Sequence, residues 1–272
     1  MRMMSKCFTG FCLREMRPAP EVASSIGAIP PDYDEILAGI DPAQVVHSWR
    51  CAVQGVPEWA WVKPPHMLGE AGWIIDDTLV NFNTRVYQER MTILYRSGLL
   101  THLKQLGRPA RILEIGGGYG ALALALRRSL PDNHYVICDL PESLVFSGLY
   151  LSLNTSDVKM YGEEGQERIS LLPNYLFETL TGHFDLIINT LSMSEMSEYQ
   201  ITEYAKGIKA LISPDGLFFE QNQDNRHIDL SCAQTVLEPL FPARKKIDIG
   251  MKLSEGMPNL WAMSPSSLAK FG

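Results

Sequence analysis

From residue 111 onward the chain alternates short apolar runs with amphipathic stretches, which reads as strands and helices taken in turn. The runs Arg111 to Ile115, Tyr135 to Asp139, Ile169 to Leu172, Phe184 to Asn189 and Leu217 to Glu220 have strand character. Turn residues punctuate them, among them Pro131-Asp-Asn133 and Ser213-Pro-Asp-Gly216. Helices are predicted over about 120–130 and 142–153. A third follows Ser197 and Gln200, which form an S-x-x-Q capping box, and its apolar positions 201, 204, 205, 208, 211 and 212 make one stripe at 3.6-residue spacing. A helix near 228–240 and two strands, Lys246 to Leu253 and Asn259 to Met263, close the chain. Strands alternating with helices predict an α/β fold in three layers, with a mostly parallel sheet, right-handed crossovers and an antiparallel tail.

The first hundred residues lack this rhythm. Residues 1–30 carry Pro18, Pro20 and Pro30 with little periodicity and read as a flexible arm. Residues 31–107 read as a helical cap and 108–272 as the main domain. In the cap, Asp41-Pro42 starts a helix whose apolar face is Val45, Val46, Trp49 and Val53. Gly55 to Gly72 is too rich in Pro and Trp for a helix. Trp49, Trp59, Trp61 and Trp73 cluster here, and such indoles either stack on a sugar or aromatic acceptor or simply pack. Thr84 to Gln105 reads as one long helix ending before Gly107.

Composition narrows the partners. The 272 residues carry a net charge of −7 and no extended Lys/Arg block, which argues against nucleic acid. Arg244-Lys-Lys246, the only basic run, reads as a solvated strand edge. The five cysteines are odd in number and show no C-x-x-C pair, so neither a zinc site nor a disulfide framework is indicated. A reducing, cytoplasmic setting is expected, with a soluble chain, no membrane span and no convincing signal peptide.

The chemistry centres on Glu114-Ile-Gly116-Gly-Gly118-Tyr-Gly120-Ala121, where a strand runs into a glycine turn and then a helix. This is a nucleotide pocket at the carboxyl edge of a parallel sheet. As G-x-G-x-x-A, the turn matches the dinucleotide fingerprint, and a nicotinamide-dependent oxidoreductase is one reading. As E-x-G-x-G-x-G, it resembles motif I of class I S-adenosylmethionine-dependent methyltransferases. Glu114 decides between them, because a carboxylate beside the turn opposes a diphosphate and welcomes the cationic amino group of S-adenosylmethionine. Asp139, at the end of the second strand, suits a ribose diol, and its other possible role is a helix N-cap.

Further motifs sharpen the likeness. Asp139-Leu-Pro-Glu142, Ile188-Asn-Thr-Leu-Ser-Met-Ser-Glu-Met196 and Phe219-Glu-Gln-Asn222 resemble the sugar O-methyltransferase family over about residues 80–265. The resemblance implies a Rossmann-like, seven-stranded methyltransferase sheet with an antiparallel last strand. It also implies S-adenosylmethionine as cofactor and a small hydroxylated acceptor, of the sugar or glycosylated-metabolite kind. The cofactor set would be Glu114, Gly116, Gly118, Gly120, Asp139, Leu140, Asn174 and Asn189. The cap helix would close over the methionine end with Arg85, Tyr87 and Gln88, unless that face is merely solvated.

One departure stands out. Catechol- and caffeate-type enzymes carry a catalytic histidine in the loop after strand four, where this chain has Leu191-Ser-Met-Ser194. The candidates for catalysis are then Glu195, Glu220 and His227, with His66 a fourth if the tryptophan segment folds over. Glu195 could equally serve an S-x-x-E cap with Ser192. No metal cluster is evident, although Glu195 with Glu220 could hold a divalent ion. A non-catalytic module that keeps the cofactor pocket is the remaining alternative.

Overall fold

The computed structural model describes residues 41–63, 73–253 and 255–271. The arm at 1–30, His66 and the rest of 64–72 lie outside the described residues. The chain divides into two compact units, Met1–Thr92 and Ile93–Gly272.

In the first unit, helix α1 (Pro42–Val53) begins where expected, with Asp41 accepting a hydrogen bond from the Ala43 N–H at 2.9 Å. Its buried face joins Trp49 and Val53 to Ile75 and Val80 in a small core. Trp49 meets Trp61 edge to face with centroids 6.1 Å apart, and the Trp61 indole donates to the Val56 carbonyl at 2.8 Å. These two tryptophans therefore pack against each other. Strands β1 (Trp73–Ile75) and β2 (Thr78–Val80) form a hairpin that the sequence pattern did not predict. Its turn, Asp76-Asp77, takes positive φ at both residues without the usual glycine.

Helix α2 (Phe82–Arg96) follows, its first turn held by Asn81, whose side chain accepts from the Thr84 N–H at 2.8 Å. Gln88 is buried, and its amide bonds the Val62 N–H and the Thr92 hydroxyl. A group expected to reach a ligand is thus engaged inside the unit. The single helix predicted over 84–105 is in fact two. Gly98 sits in the left-handed region at φ 85° and ends α2's path, and α3 (Leu99–Lys104) restarts beyond it.

The second unit holds the sheet. In chain order its elements are β3 (Arg111–Ile115), α4 (Ala121–Ser129), β4 (His134–Asp139), α5 (Pro141–Asn154), β5 (Val158–Lys159), β6 (Ile169–Pro173) and β7 (Phe184–Thr190). Then come α6 (Glu198–Leu211), β8 (Ile212–Gln221), α7 (Ala233–Leu237), β9 (Ala243–Lys246), β10 (Asn259–Ala262) and α8 (Pro265–Leu268). The strand order is β5-β6-β4-β3-β7-β8-β10-β9, and only β10 runs against its neighbours. The sheet has eight strands rather than seven, because the two-residue β5 pairs with β6 at the edge.

Three further elements differ from expectation. The Ser213–Gly216 turn lies inside β8, as an irregularity where the β7–β8 register shifts. The helix expected over 228–240 contracts to α7, after a 3-10 turn at Arg226–Ile228. The penultimate strand is Ala243–Lys246, not 246–253, since its pairing with β10 runs from Asn259↔Lys246 to Ala262↔Ala243.

Helix α6 lays its predicted stripe on the sheet. Ile201, Ala205 and Ile208 are buried against Ile187, Phe218 and Trp261. Each such side chain contributes roughly 1.5–3 kcal/mol on burial. This packing fixes the carboxyl ends of β7 and β8 beside β3. From β3 the chain winds outward to β4 and β6, then returns to β7 on the other side. The crevice at that reversal, beyond the carboxyl ends of β3, β4 and β7, is where open α/β sheets bind ligands. Among the described residues no helix is long and apolar enough to cross a membrane.

Candidate active site

Glu114 precedes the last residue of β3, and Gly116, Gly118 and Gly120 follow at φ 79°, 58° and 88°. Two separate constraints make glycine necessary at 116. Its φ is costly for a residue with a Cβ, and a Cβ there would lie 2.2 Å from Ser192 Oγ. Gly117, which the motif reading passed over, has an ordinary φ but no room. A Cβ would lie 2.7 Å from Ile137 Cγ2 and 3.1 Å from Glu114 Oε2. The Glu114 carboxylate therefore lies directly beneath the turn. It is only 2% exposed, and the Tyr135 hydroxyl donates to its Oε2 at 2.8 Å.

Asp139 ends β4. Its Oδ2 accepts from the Gly118 N–H at 2.8 Å and its Oδ1 from the Leu140 N–H at 2.7 Å. It thereby holds the glycine turn against the neighbouring strand. The N-cap of α5 is Leu140 rather than Asp139, and it makes no side-chain cap. Burial raises the Asp139 carboxyl above its ordinary value, against the N–H groups of Leu140 and Gly118, which favour the ionised form. Burial likewise pushes the neighbouring Cys138 thiol up to about 12, with the Asp139 charge adding to it, so this cysteine is no nucleophile. Leu140 is 52% exposed beside Asp139. Asn174 opens the 3-10 turn after β6 and bonds to Tyr204 of α6.

Asn189, in β7, is fully buried. Its Nδ2 donates to the Ile115 carbonyl at 2.9 Å and to Ser192 Oγ at 2.5 Å. Its Oδ1 accepts from Asn222 Nδ2 at 2.8 Å and from the Met193 N–H at 3.3 Å. Both amide hydrogens and both acceptor positions are in use. Leu191, two residues on, has φ 65°, a strained value for leucine at the start of this loop.

The three candidates for catalysis occupy two kinds of environment. Glu220, the penultimate residue of β8, is completely buried. Its Oε1 accepts from Asn222 at 2.9 Å and Gln234 at 2.6 Å, and its Oε2 accepts from Asn259 at 3.0 Å. Burial raises its carboxyl to about 7, with Asn222 and Asn259 among the groups opposing the rise. Glu195 and His227 are exposed. Glu195 ends the 3-10 turn Met193–Glu195, where Ser192 makes no side-chain cap, so the S-x-x-E cap is not formed. His227 lies in the turn Arg226–Ile228 with its Nδ1 3.3 Å from the Asp224 carbonyl. The two loops are tied by Asn225, whose Nδ2 donates to the Ser194 carbonyl at 3.0 Å. Among the described residues no group of three His, Cys, Asp or Glu side chains is placed to hold a metal ion.

Tyr135, Ser192, Asn222, Gln234 and Asn259 also take part in this network. Ser192 and Asn222 lie inside the motifs Ile188–Met196 and Phe219–Asn222, whereas Tyr135, Gln234 and Asn259 belong to none. Tyr135 and Asn259 could have been sought as polar residues in predicted buried strands, and Gln234, in α7, had no such signal. A cavity of about 440 Å³ lies at the opposite, amino edge, lined by residues including Lys104, Arg108, Asn133 and Arg168. It is remote from the glycine turn.

The parallel sheet with its reversed β10, the glycine turn and the acid at the end of β4 are the framework of an open α/β sheet with a nucleotide-type pocket at its carboxyl edge. Residues 87–266 match the methyltransferase domain family, and the chain belongs to that family. It is a class I methyltransferase, with S-adenosylmethionine as its methyl donor. No curated protein matches. Among solved structures, human methyltransferase-like protein 13, in complex with SAH, is 18% identical with a TM-score of 0.43, over 64% of this chain and 78% of that one. The O-methyltransferase TomG from Streptomyces achromogenes, in complex with SAM, is 20% identical with a TM-score of 0.44, over 62% and 80%. The PH0226 protein from Pyrococcus horikoshii OT3 is 12% identical with a TM-score of 0.44, over 64% and 90%.

Proposed function

We propose that this protein methylates a hydroxyl group of a small acceptor, of the sugar or glycosylated-metabolite kind. The observation that supports the donor half of the reading most directly is the pair of carboxylates flanking the glycine turn. Each Asp139 oxygen accepts one backbone N–H and the Ser143 side chain also bonds this carboxylate, so the acceptor capacity left over suits a ribose hydroxyl. Leu140 and Asn174 would border the adenine. Gly116, Gly118 and Gly120 let the donor approach the backbone closely. Glu114, an acidic residue beneath the turn, would favour a cationic group of the donor over a diphosphate. Asn189 shapes the turn and does not touch the donor.

When bound, S-adenosylmethionine supplies a methyl carbon made electrophilic by its sulfonium. Transfer to an acceptor oxygen would break the carbon–sulfur bond and leave its electron pair on sulfur, and the hydroxyl proton would pass to a base of this chain. In this reading Glu195 or His227 is the base, since both are exposed on joined loops. Glu220, without solvent contact, is a positioning carboxylate. Alignment supplies much of the acceleration in such an in-line displacement, and general-base help adds about 10²–10⁴-fold.

The test has two stages. Calorimetry with S-adenosylhomocysteine should give saturable binding, and its absence would refute the donor site. Transfer from labelled S-adenosylmethionine to a panel of sugars and glycosides should then be lowered about 10²–10⁴-fold in kcat by Glu195→Ala or His227→Ala. Methylation confined to nitrogen or carbon acceptors would overturn the hydroxyl assignment.

A further inference from the structure

A continuous chain of buried side-chain amides runs along the carboxyl edge from the tail of the sheet to the glycine turn. Arg244 Nε donates to Asn259 Oδ1 at 3.0 Å, and Asn259 Nδ2 donates to Glu220 Oε2 at 3.0 Å. Glu220 Oε1 accepts from Asn222, which also donates to Asn189 Oδ1 at 2.8 Å. Asn189 ends the series on the carbonyl of Ile115, the residue before Gly116, and on Ser192, whose Oγ fills the space a Gly116 side chain would need.

Asn222 is the node. Its two amide hydrogens go to different strands' side chains, and its Oδ1 accepts from the Ser194 N–H at 3.0 Å. The reverse orientation of this amide would set its oxygen against the Glu220 carboxylate, so the hydrogen-bond pattern fixes which way it points. It therefore joins three things at once: the acceptor-side carboxylate, the loop after β7, and, through Asn189, the turn that takes the donor. Asn222 is 2% exposed, so losing it strands several buried polar groups with no water to replace it.

We propose that Asn222 is a positioning residue that sets the shape of the donor turn from the acceptor side, so that the loops carrying Glu195 and His227 and the turn carrying Gly116–Gly120 respond as one unit. This rests on the donor reading above. It goes beyond that reading by making donor affinity depend on a residue that does not contact the donor.

The probe is S-adenosylhomocysteine, measured by calorimetry on the full chain. Asn222→Ala is expected to weaken its binding about tenfold. The Asn189→Ala, Asn222→Ala double variant should be no weaker than the weaker single one, because both cut the same connection. Asn222→Asp provides a readout that a purely structural role would not move. Its carboxyl would lie against Glu220, with Arg244 the nearest cation in the series. With both acids protonated at low pH, one proton can bridge them and the other can be donated to Asn189 Oδ1, as the two amide hydrogens are in the wild type, but the acids repel once both ionise. Binding by this variant should therefore approach that of the wild type near pH 5 and fall about tenfold or more by pH 8.

Hydrogen exchange on the wild type needs no variant to fold. Adding S-adenosylhomocysteine should protect the amides of 191–197 and 222–229 together with those of 116–120. Wild-type binding with unchanged affinity in a folded Asn222→Ala, additive single effects, or protection confined to 116–120 would each overturn the proposal. Failure of the wild type to bind at all would instead sink the donor site itself.

Discussion

Replacing Glu220 by glutamine isolates the charge of a carboxyl group that has no solvent contact. Burial lifts that carboxyl from an ordinary 4.5 to about 7, despite the N–H groups that Asn222 and Asn259 direct at it. At about 1.4 kcal/mol per pH unit, ionisation costs the folded protein about 3 to 4 kcal/mol more than it costs the unfolded chain. Between the two values the fold holds a proton that the unfolded chain has released. The contribution is complete below about pH 4.5 and is lost as pH rises through about 7. Glutamine has no such proton, but its amide cannot accept from both sides. One of the donors from Asn222, Gln234 and Asn259 loses its acceptor, at about 1–3 kcal/mol. The variant should therefore be the less stable protein at pH 5, and the gap should narrow or reverse by pH 8. Urea unfolding across that range, followed by the fluorescence of the buried Trp261, measures the difference at each pH. All other titrating groups are common to both proteins and cancel. A difference that stays constant from pH 5 to 8 would refute the opposition of burial and hydrogen bonding inferred here.

Other outcomes follow from the same geometry. Asp139→Ala removes the acceptor of the Gly118 N–H together with the ribose ligand, and should weaken S-adenosylhomocysteine binding at least about tenfold by calorimetry. Gly98→Ala and Gly116→Ala separate backbone strain from crowding. Both glycines have positive φ, but a Cβ at 98 meets nothing within 4 Å, whereas one at 116 meets Ser192. Chemical denaturation should show a loss of about 1 kcal/mol for the first and clearly more for the second. Arg108 pairs with Asp185 through both terminal guanidinium nitrogens, yet its side chain is half exposed, so Arg108→Ala should cost no more than about 1 kcal/mol.

The buried parallel strands were the most legible part of the chain. Arg111–Ile115 matches its sequence boundaries, and Ile169–Pro173 and Phe184–Thr190 lie within a residue of theirs. Strands covered on both faces must be continuously apolar, and that signal is local. The α6 stripe and its Ser197–Gln200 capping box were legible for the same reason. What escaped depended on partners. Val158–Lys159 is too short to have a pattern and becomes a strand only through β6. The Asp76-Asp77 turn lacks the glycine that marks such hairpins. The alternation in Lys246 to Leu253 looks like a strand, but pairing with β10 stops at Lys246. At the site, Glu114, Asp139 and the glycines were visible as a motif, because a turn at the end of one strand is a local event. The roles of Asn222, Gln234 and Asn259 were not. Asn259 meets Glu220 only because β8 and β10 pair, and Gln234 reaches it from α7, so no spacing within one segment encodes either contact. Asn222 lies two residues beyond Glu220, but nothing local says that its amide turns back to it.

The two ends of the sheet bear on a different matter. One ends in β5, with only two residues, and the other in β9, whose Ala243-Arg-Lys-Lys246 is the basic run noted in the sequence. There Arg244 covers the Trp261 ring, Lys245 reaches the Phe271 carbonyl and Lys246 is exposed to solvent. A stub and a lysine-bearing border both make poor templates for a foreign strand. Strand-by-strand growth into fibrils is therefore disfavoured at both ends. Crowding of this protein should instead bring together helical surfaces, such as the bare Val145, Leu149 and Leu153 ridge of α5.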